Sequence, residues 1–126
     1  MTRFLIIVFV WISLSLSSQV ILSKDSFFPM KKPFPENYKS LMADSDWQTL
    51  GYYKSNQKKI ILPDTITVGR IELFEDGKSY RKIKGKKIIS NLDISTVEII
   101  YIDSTTLILE NKYKKTVHRT LYKRKT

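Results

Sequence analysis

The sequence predicts an all-β fold, a small antiparallel meander that forms a complete, shortened or half-open barrel. From Trp47 onward, apolar and polar residues alternate with the period of two that is typical of strands. Turn signals separate about six to eight short segments at intervals typical of antiparallel sandwiches and barrels. The segments are rich in β-branched and aromatic residues, which fit a pleated, half-buried surface. No repeat marks a second domain.

Residues 1–23 have the features of a secretory signal peptide and are predicted to be a targeting segment. Arg3 supplies a positive charge, an apolar run follows it, and small serines come after that run. Cleavage after Ser17 or near Ser23 would export the protein to the periplasm, the cell surface or the medium. An uncleaved membrane anchor is the alternative, because residues 4–22 approach the roughly 20 apolar residues that a spanning helix needs.

Residues 24–45 are predicted to be a proline-rich strap followed by a short helix. Prolines at positions 29, 33 and 35 fix φ and remove backbone donors, which favours an extended segment. The helix should begin near the last of these prolines, in the first turn where proline is tolerated. Tyr38, Leu41 and Met42 would then lie on one face, against one end of the barrel.

Residues 46–126 are the predicted β-domain, which contains no cysteine and must be stable without disulfides. Asp76–Gly77 should form a hairpin turn, because this dipeptide tolerates positive φ. A second hairpin should turn at Asp103–Ser104. Strict alternation there predicts two shared faces, Val97, Ile99 and Tyr101 in the first strand and Leu107 and Leu109 in the second.

Several segments occur here in an order that resembles a known family. They are Trp47 with GYYKSN, then LFEDGKSY, then VEIIYIDSTTLILE, and finally LYKRK, and the resemblance covers about residues 46–123. In this order they resemble the small lipocalin-like domains of secreted bacterial proteins that are common in Bacteroidetes. The resemblance implies a meandering antiparallel barrel and an exported location. Lipocalins proper bind small apolar molecules in the barrel mouth.

The first predicted function is a binding module that holds a small apolar or amphipathic ligand. The apolar faces of the late hairpin would line the site. A packed core is the alternative, because a small barrel is usually filled by its own side chains. The predicted ligand-binding residues are Tyr80, Ile99, Tyr101, Leu107 and Leu109.

The second predicted function is a structural or interaction protein that uses a basic face on an anionic envelope surface or a protein partner. The chain has 22 Lys and Arg against 12 Asp and Glu, and residues 78–87 and 112–125 are especially basic. A compositional bias toward lysine is the alternative explanation, and nucleic acid is not a predicted partner. The predicted basic-surface residues are Lys82, Lys84, Lys86, Lys87, Lys114, Lys115 and Arg119.

The sequence predicts no catalytic residue, cofactor or metal site, and therefore no enzyme. His118 is the only histidine, and there is no cysteine with which it could share a metal. No Gly-x-Ser-x-Gly motif or phosphate loop occurs. Glu72, Glu75 and Asp76 are interpreted as turn and surface residues. The oligomeric state is not predicted.

Overall fold

The computed structural model describes residues 22–92 and 96–125, and in this part of the chain nine strands follow a 3-10 helix and one α-helix. The 3-10 helix spans Lys24–Phe27 and the α-helix, α1, spans Tyr38–Ala43. The strands are β1 (Asp46–Lys54), β2 (Lys59–Ile61), β3 (Val68–Gly69), β4 (Phe74–Asp76), β5 (Ser79–Lys84), β6 (Lys87–Ser90), β7 (Thr96–Ile102), β8 (Thr106–Tyr113) and β9 (Thr116–Lys125).

All nine described strands belong to one antiparallel sheet with the order β2-β1-β9-β8-β7-β6-β5-β4, and β3 also pairs with β1. Each strand from β4 to β9 pairs with its neighbour in sequence, which confirms the antiparallel, all-β prediction. The sheet is not closed in the described residues. The chain passes from β3, on β1, to β4, on β5, and residues 70–73 between them form no ladder.

The predicted Asp76–Gly77 turn occurs at a glycine with positive φ, and the structure adds a second turn of this kind at Gly85. Gly77 joins β4 to β5 with φ of 57°, and Gly85 joins β5 to β6 with φ of 61°. Both values lie in the left-handed region that glycine adopts at little cost. In the turn after β8, which ends at Tyr113, the non-glycine residue Lys114 adopts a positive φ.

Two hydrophobic clusters cover the two faces of the sheet. Consecutive residues of a strand point to opposite faces, so Leu107 and Ile108 belong to different clusters. The helix-side core consists of the buried residues Met42, Trp47, Ile88, Ile99, Ile102, Leu107 and Leu109. The strap-side core consists of the buried residues Phe27, Tyr53, Ile108 and Leu121.

The N-terminal segment contributes to both cores. The 3-10 helix places Phe27 in the strap-side core, and α1 then places Met42 in the helix-side core. Tyr38 and Leu41 pack beside Met42, so the predicted apolar helix face is confirmed. Because the sheet is open, this face covers the helix-side core instead of the end of a barrel. The Trp47 Nε1–H anchors α1 by donating to the Met42 carbonyl oxygen at 3.0 Å.

The predicted alternation in β7 is wrong after Ile99. The register with β8 shifts between Ile99 and Tyr101, as at a β-bulge. A bulge adds one residue to a strand and reverses the facing of every residue beyond it. Ile102 therefore joins Ile99 in the helix-side core, whereas Tyr101 packs against the strap-side core.

Within the described residues, no helix is long and apolar enough to cross a bilayer. The predicted signal peptide, residues 1–23, lies outside the described residues except for Leu22 and Ser23.

Candidate binding surface beneath the N-terminal strap

The hairpin residues predicted to line a ligand cavity are part of a filled core. Ile99, Leu107 and Leu109 are exposed by 2%, 0% and 7%, and they pack in one cluster with Met42 and Trp47. Side chains this deeply buried leave no free wall for a ligand. The structure therefore agrees with the packed-core alternative at these three positions.

The two predicted tyrosines lie away from those three residues. Tyr101 is on the strap side, beyond the bulge in β7. Tyr80 lies on β5, where Lys82 Nζ is 5.1 Å from the centre of its ring. The five predicted ligand-binding residues consequently do not form one site.

Tyr101 instead stabilises the β7–β8 turn through Asp103. Its hydroxyl donates to Asp103 Oδ2 at 2.6 Å, while the Thr105 and Thr106 amides donate to Oδ1 at 2.8 Å. Burial acts to raise the pKa of the Asp103 carboxyl, but these hydrogen bonds outweigh it and lower the pKa. The pKa of Tyr101 is raised, first by its hydrogen bond to Asp103 and then by burial.

Arg119 is an internal ion-pair partner, and its assignment to the basic surface was wrong. Its Nε donates to Glu110 Oε2 at 2.8 Å, and its Nη1 donates to the Phe27 carbonyl oxygen at 2.8 Å. Its guanidinium also lies 4.2 Å from the centre of the Phe28 ring. β9 presents this side chain to the strap face, where the 3-10 helix covers it, so its charge is neutralised by Glu110.

The predicted lysines divide between two separate hairpins. Lys82, Lys84, Lys86 and Lys87 lie on the β5–β6 hairpin, and all except the half-buried Lys82 are exposed. Lys82 forms an ion pair of 3.4 Å with Glu75. The β8–β9 turn carries the exposed pair Lys114 and Lys115.

The structure adds two strap lysines, Lys31 and Lys32, that the sequence interpretation missed. With Lys86 they line an open cleft of about 670 Å³, which we call the basic cleft. Phe34 and Tyr38 form its aromatic wall, and Lys86 Nζ lies 5.6 Å from the centre of the Phe34 ring. A signal was present in the sequence, since a Lys-Lys pair between prolines must project from an extended chain.

Tyr38 fixes the geometry of this cleft. Its hydroxyl donates to the Gly85 carbonyl oxygen at 2.8 Å, across 47 residues of sequence. The ring of Phe34 packs on Tyr38 with centres 5.1 Å apart. The strap is thereby attached to the tip of the β5–β6 hairpin, which brings Lys31 and Lys32 near Lys86.

The basic cleft adjoins a more enclosed cavity of about 390 Å³, the strap cavity, between the strap and the sheet. Lys31, Lys32, Phe34 and Lys86 line both spaces. The strap cavity is additionally lined by apolar Phe28, Pro29, Ile99 and Ile100 and by charged Glu98, Glu110 and Arg119.

In the part of the chain that the structure describes, the side-chain partner of His118 is an amide and not a carboxylate. Its Nε2 lies 3.4 Å from Asn111 Nδ2, an amide that cannot act as the acid of a catalytic triad. Among the described residues, no group of three or more His, Cys, Asp or Glu side chains is arranged to hold a metal ion.

No protein-family model matches this chain, and comparisons with curated proteins and with solved structures give no match either. The lipocalin-like resemblance therefore remains a prediction from the quoted segments.

Proposed function

We propose that this protein is an exported, non-enzymatic binding module that docks on an anionic lipid surface through its strap and β5–β6 hairpin. The basic cleft is the observation that carries the proposal. It brings Lys31 and Lys32 close to Lys86, which is distant from them in sequence, around one aromatic wall. No carboxylate lines this cleft, so its field is positive.

The exposed apolar residues of the strap favour a lipid surface over other anionic partners. Met30 is 84% exposed and Phe28 is 40% exposed, and both lie close in sequence to Lys31 and Lys32. Apolar side chains that enter the headgroup region beside lysines are typical of interfacial binding. Each lysine near an anionic leaflet contributes about 1 kcal/mol. Such a surface also fits a predicted export signal, because an exported protein meets the envelope.

The lipocalin-like barrel is part of this proposal as its structural frame. The meander order of β4 to β9 supports it, and so does the chain passing from β3 to β4 between the two sides of the open sheet. A half-open barrel would leave the strap and the helix to cover its two faces.

A second candidate function is the binding of a small apolar or amphipathic ligand. The filled helix-side core does not support a site in the late hairpin. The strap cavity does support one elsewhere, because its volume of about 390 Å³ lies within the range of small-molecule sites.

Co-sedimentation with vesicles tests the proposed docking. The residue 24–126 protein should sediment with phosphatidylglycerol vesicles at low salt, much less at high salt, and not with phosphatidylcholine vesicles. The triple variant K31Q/K32Q/K86Q should lose most of this binding. K114Q/K115Q/K125Q removes the same charge from β9 and the β8–β9 turn and should bind nearly as the wild type does.

Two outcomes would contradict the docking proposal. Binding that stays constant between low and high salt would exclude an electrostatic surface interaction. Equal loss in both triple variants would show that net charge matters and that the basic cleft does not.

A further inference from the structure

We infer that the strap cavity holds a single-chain anionic amphiphile, with its apolar chain beneath the strap and its anionic head among the lysines at the mouth. This inference rests on the second candidate function above, the binding of a small ligand, and it specifies the ligand class. It also explains how the basic cleft and the enclosed cavity work together, because the four residues Lys31, Lys32, Phe34 and Lys86 line both.

The inner part of the cavity suits an apolar chain. Phe28 and Pro29 form its strap side, and the side chain of Ile100 forms its sheet side, whereas the Ile99 side chain points into the helix-side core. Ile100 reaches the strap face by ordinary strand alternation, because it follows Ile99, which faces the helix-side core. An alkyl chain on these surfaces would bury apolar area at about 25 cal/mol per Å².

Two of the charged residues that line the inner cavity, Glu110 and Arg119, compensate each other. Glu110 is held by Arg119 Nε at 2.8 Å and by Lys112 Nζ at 3.6 Å. Glu98 lies directly opposite Lys87 in the β6–β7 ladder, on the same face of the sheet. The inner cavity therefore offers no unpaired cation to an anionic head.

The mouth of the strap cavity, where it joins the basic cleft, is positively charged. Lys31, Lys32 and Lys86 are exposed, and no ion pair with a carboxylate is formed by them among the described residues. A carboxylate or phosphate head fits this end, where it stays partly hydrated and pairs with the lysine ammonium groups. The amphiphile would therefore enter chain first and leave its head in the basic cleft.

Phe28 and Arg119 determine how the cavity is closed. Phe28 lies over the Arg119 guanidinium at 4.2 Å and meets Tyr53 edge-on at 5.3 Å. The strap is thus held by contacts at the sheet that do not involve the mouth lysines. Substituting Lys31 and Lys32 should leave the cavity intact, which makes the head and chain contributions separable.

Calorimetric titration with four probes tests the inference. Decanoate and decyl phosphate represent the two head chemistries, decanol is the uncharged chain, and inorganic phosphate is the head alone. The two anionic amphiphiles should bind at one site, decanol about tenfold more weakly, and inorganic phosphate not measurably. Decanol binding as tightly as decanoate, inorganic phosphate binding as tightly as decyl phosphate, or no amphiphile binding at all would overturn the inference.

Two matched lysine variants locate the head. K31Q/K32Q should weaken decanoate binding about tenfold and leave decanol unchanged. K114Q/K115Q, with the same loss of charge at the β8–β9 turn, should leave both probes unchanged. Similar effects of the two variants would contradict a head site at the mouth. These are exposed side chains, so the comparison does not depend on a core substitution that the fold must tolerate.

One cavity-filling variant separates this inference from the docking proposal. I100F should weaken decanoate and decanol alike, while its sedimentation with phosphatidylglycerol vesicles stays at the wild-type level. If the wild-type protein docks on vesicles but binds no amphiphile, the inference is wrong and the docking proposal is supported. If it binds amphiphiles but does not dock on vesicles, the docking proposal is wrong and the inference is supported. If I100F does not fold, the comparison of K31Q/K32Q with K114Q/K115Q tests the inference instead.

Discussion

Arg119 and Glu110 lie directly opposite each other on β9 and β8, and their side chains join at 2.8 Å beneath the strap. Their side chains are exposed by only 17% and 10%. Because Arg119 also donates to the Phe27 carbonyl oxygen and lies over Phe28, this ion pair connects the sheet to the N-terminal segment. Arg119 of the last strand is therefore one of the residues that hold the strap on the sheet.

Replacing Arg119 with methionine should destabilise the protein by about 3 kcal/mol. The change leaves the Glu110 carboxylate buried without its main partner, which is costly. Urea unfolding measures the loss as a lower midpoint. R119M/E110L removes both charges and should recover much of the stability, whereas K125M on the exposed part of β9 should change little. A shift for R119M no larger than that for K125M would refute this account of the strap.

Replacing Trp47 with phenylalanine should lower the free energy of unfolding by about 1–3 kcal/mol, in addition to the loss caused by the smaller ring. The buried Nε1–H donates to the Met42 carbonyl at 3.0 Å, and without it that carbonyl has no equivalent donor. Thermal unfolding measures the cost, and hydrogen exchange should show faster opening of α1. M42L preserves both the carbonyl and the approximate volume, so it should cost less than about 1.5 kcal/mol. If W47F is as stable as M42L, the indole hydrogen bond does not anchor the helix.

Alanine at Gly77 or Gly85 should each destabilise the protein by about 1 kcal/mol. A Cβ meets nothing within 4 Å at either position, so the cost comes from positive φ alone. Gly69 is the matched control, since its Cβ position is also open and its φ is not in the left-handed region. G69A should be neutral or slightly stabilising. Equal unfolding midpoints for all three variants would argue against the assigned turn conformations.

Replacing Asp103 with asparagine should cost roughly 1–2 kcal/mol at neutral pH, because charge-assisted hydrogen bonds are weakened. The folded pKa of Asp103 lies below its ordinary value of 3.8, so its contribution is present above that value and is lost as pH falls through the folded pKa. The difference in unfolding free energy between wild type and D103N should therefore shrink below about pH 4.

Titration at high pH provides the opposite check on the same turn. The pKa of Tyr101 is raised above its ordinary value of 10.0, so its contribution is complete below that value and is lost as pH rises through the folded pKa. D76N, at an exposed turn carboxylate, is the control substitution and should change the unfolding free energy little. A constant difference between wild type and D103N from acid to neutral pH would contradict the role of Asp103.

Local sequence signals predicted the elements well where a short-range rule applies. The Asp-Gly hairpin, the turn at Asp103–Ser104 and the apolar face of α1 depend on φ preferences and on residues within one turn. The alternation did not predict the bulge in β7. A bulge reverses the facing of the residues beyond it, and no particular residue type is needed to form one.

By itself, the sequence determined the all-β class, the meander, the turns and the excess of positive charge. Tertiary structure alone decided which charges are available and where a ligand could fit. Arg119 became an internal partner of Glu110, while Lys31 and Lys32 met Lys86 across the fold. The physical reason is that strand periodicity and turn preference are local, whereas ion pairing and cavities arise only when distant segments pack together.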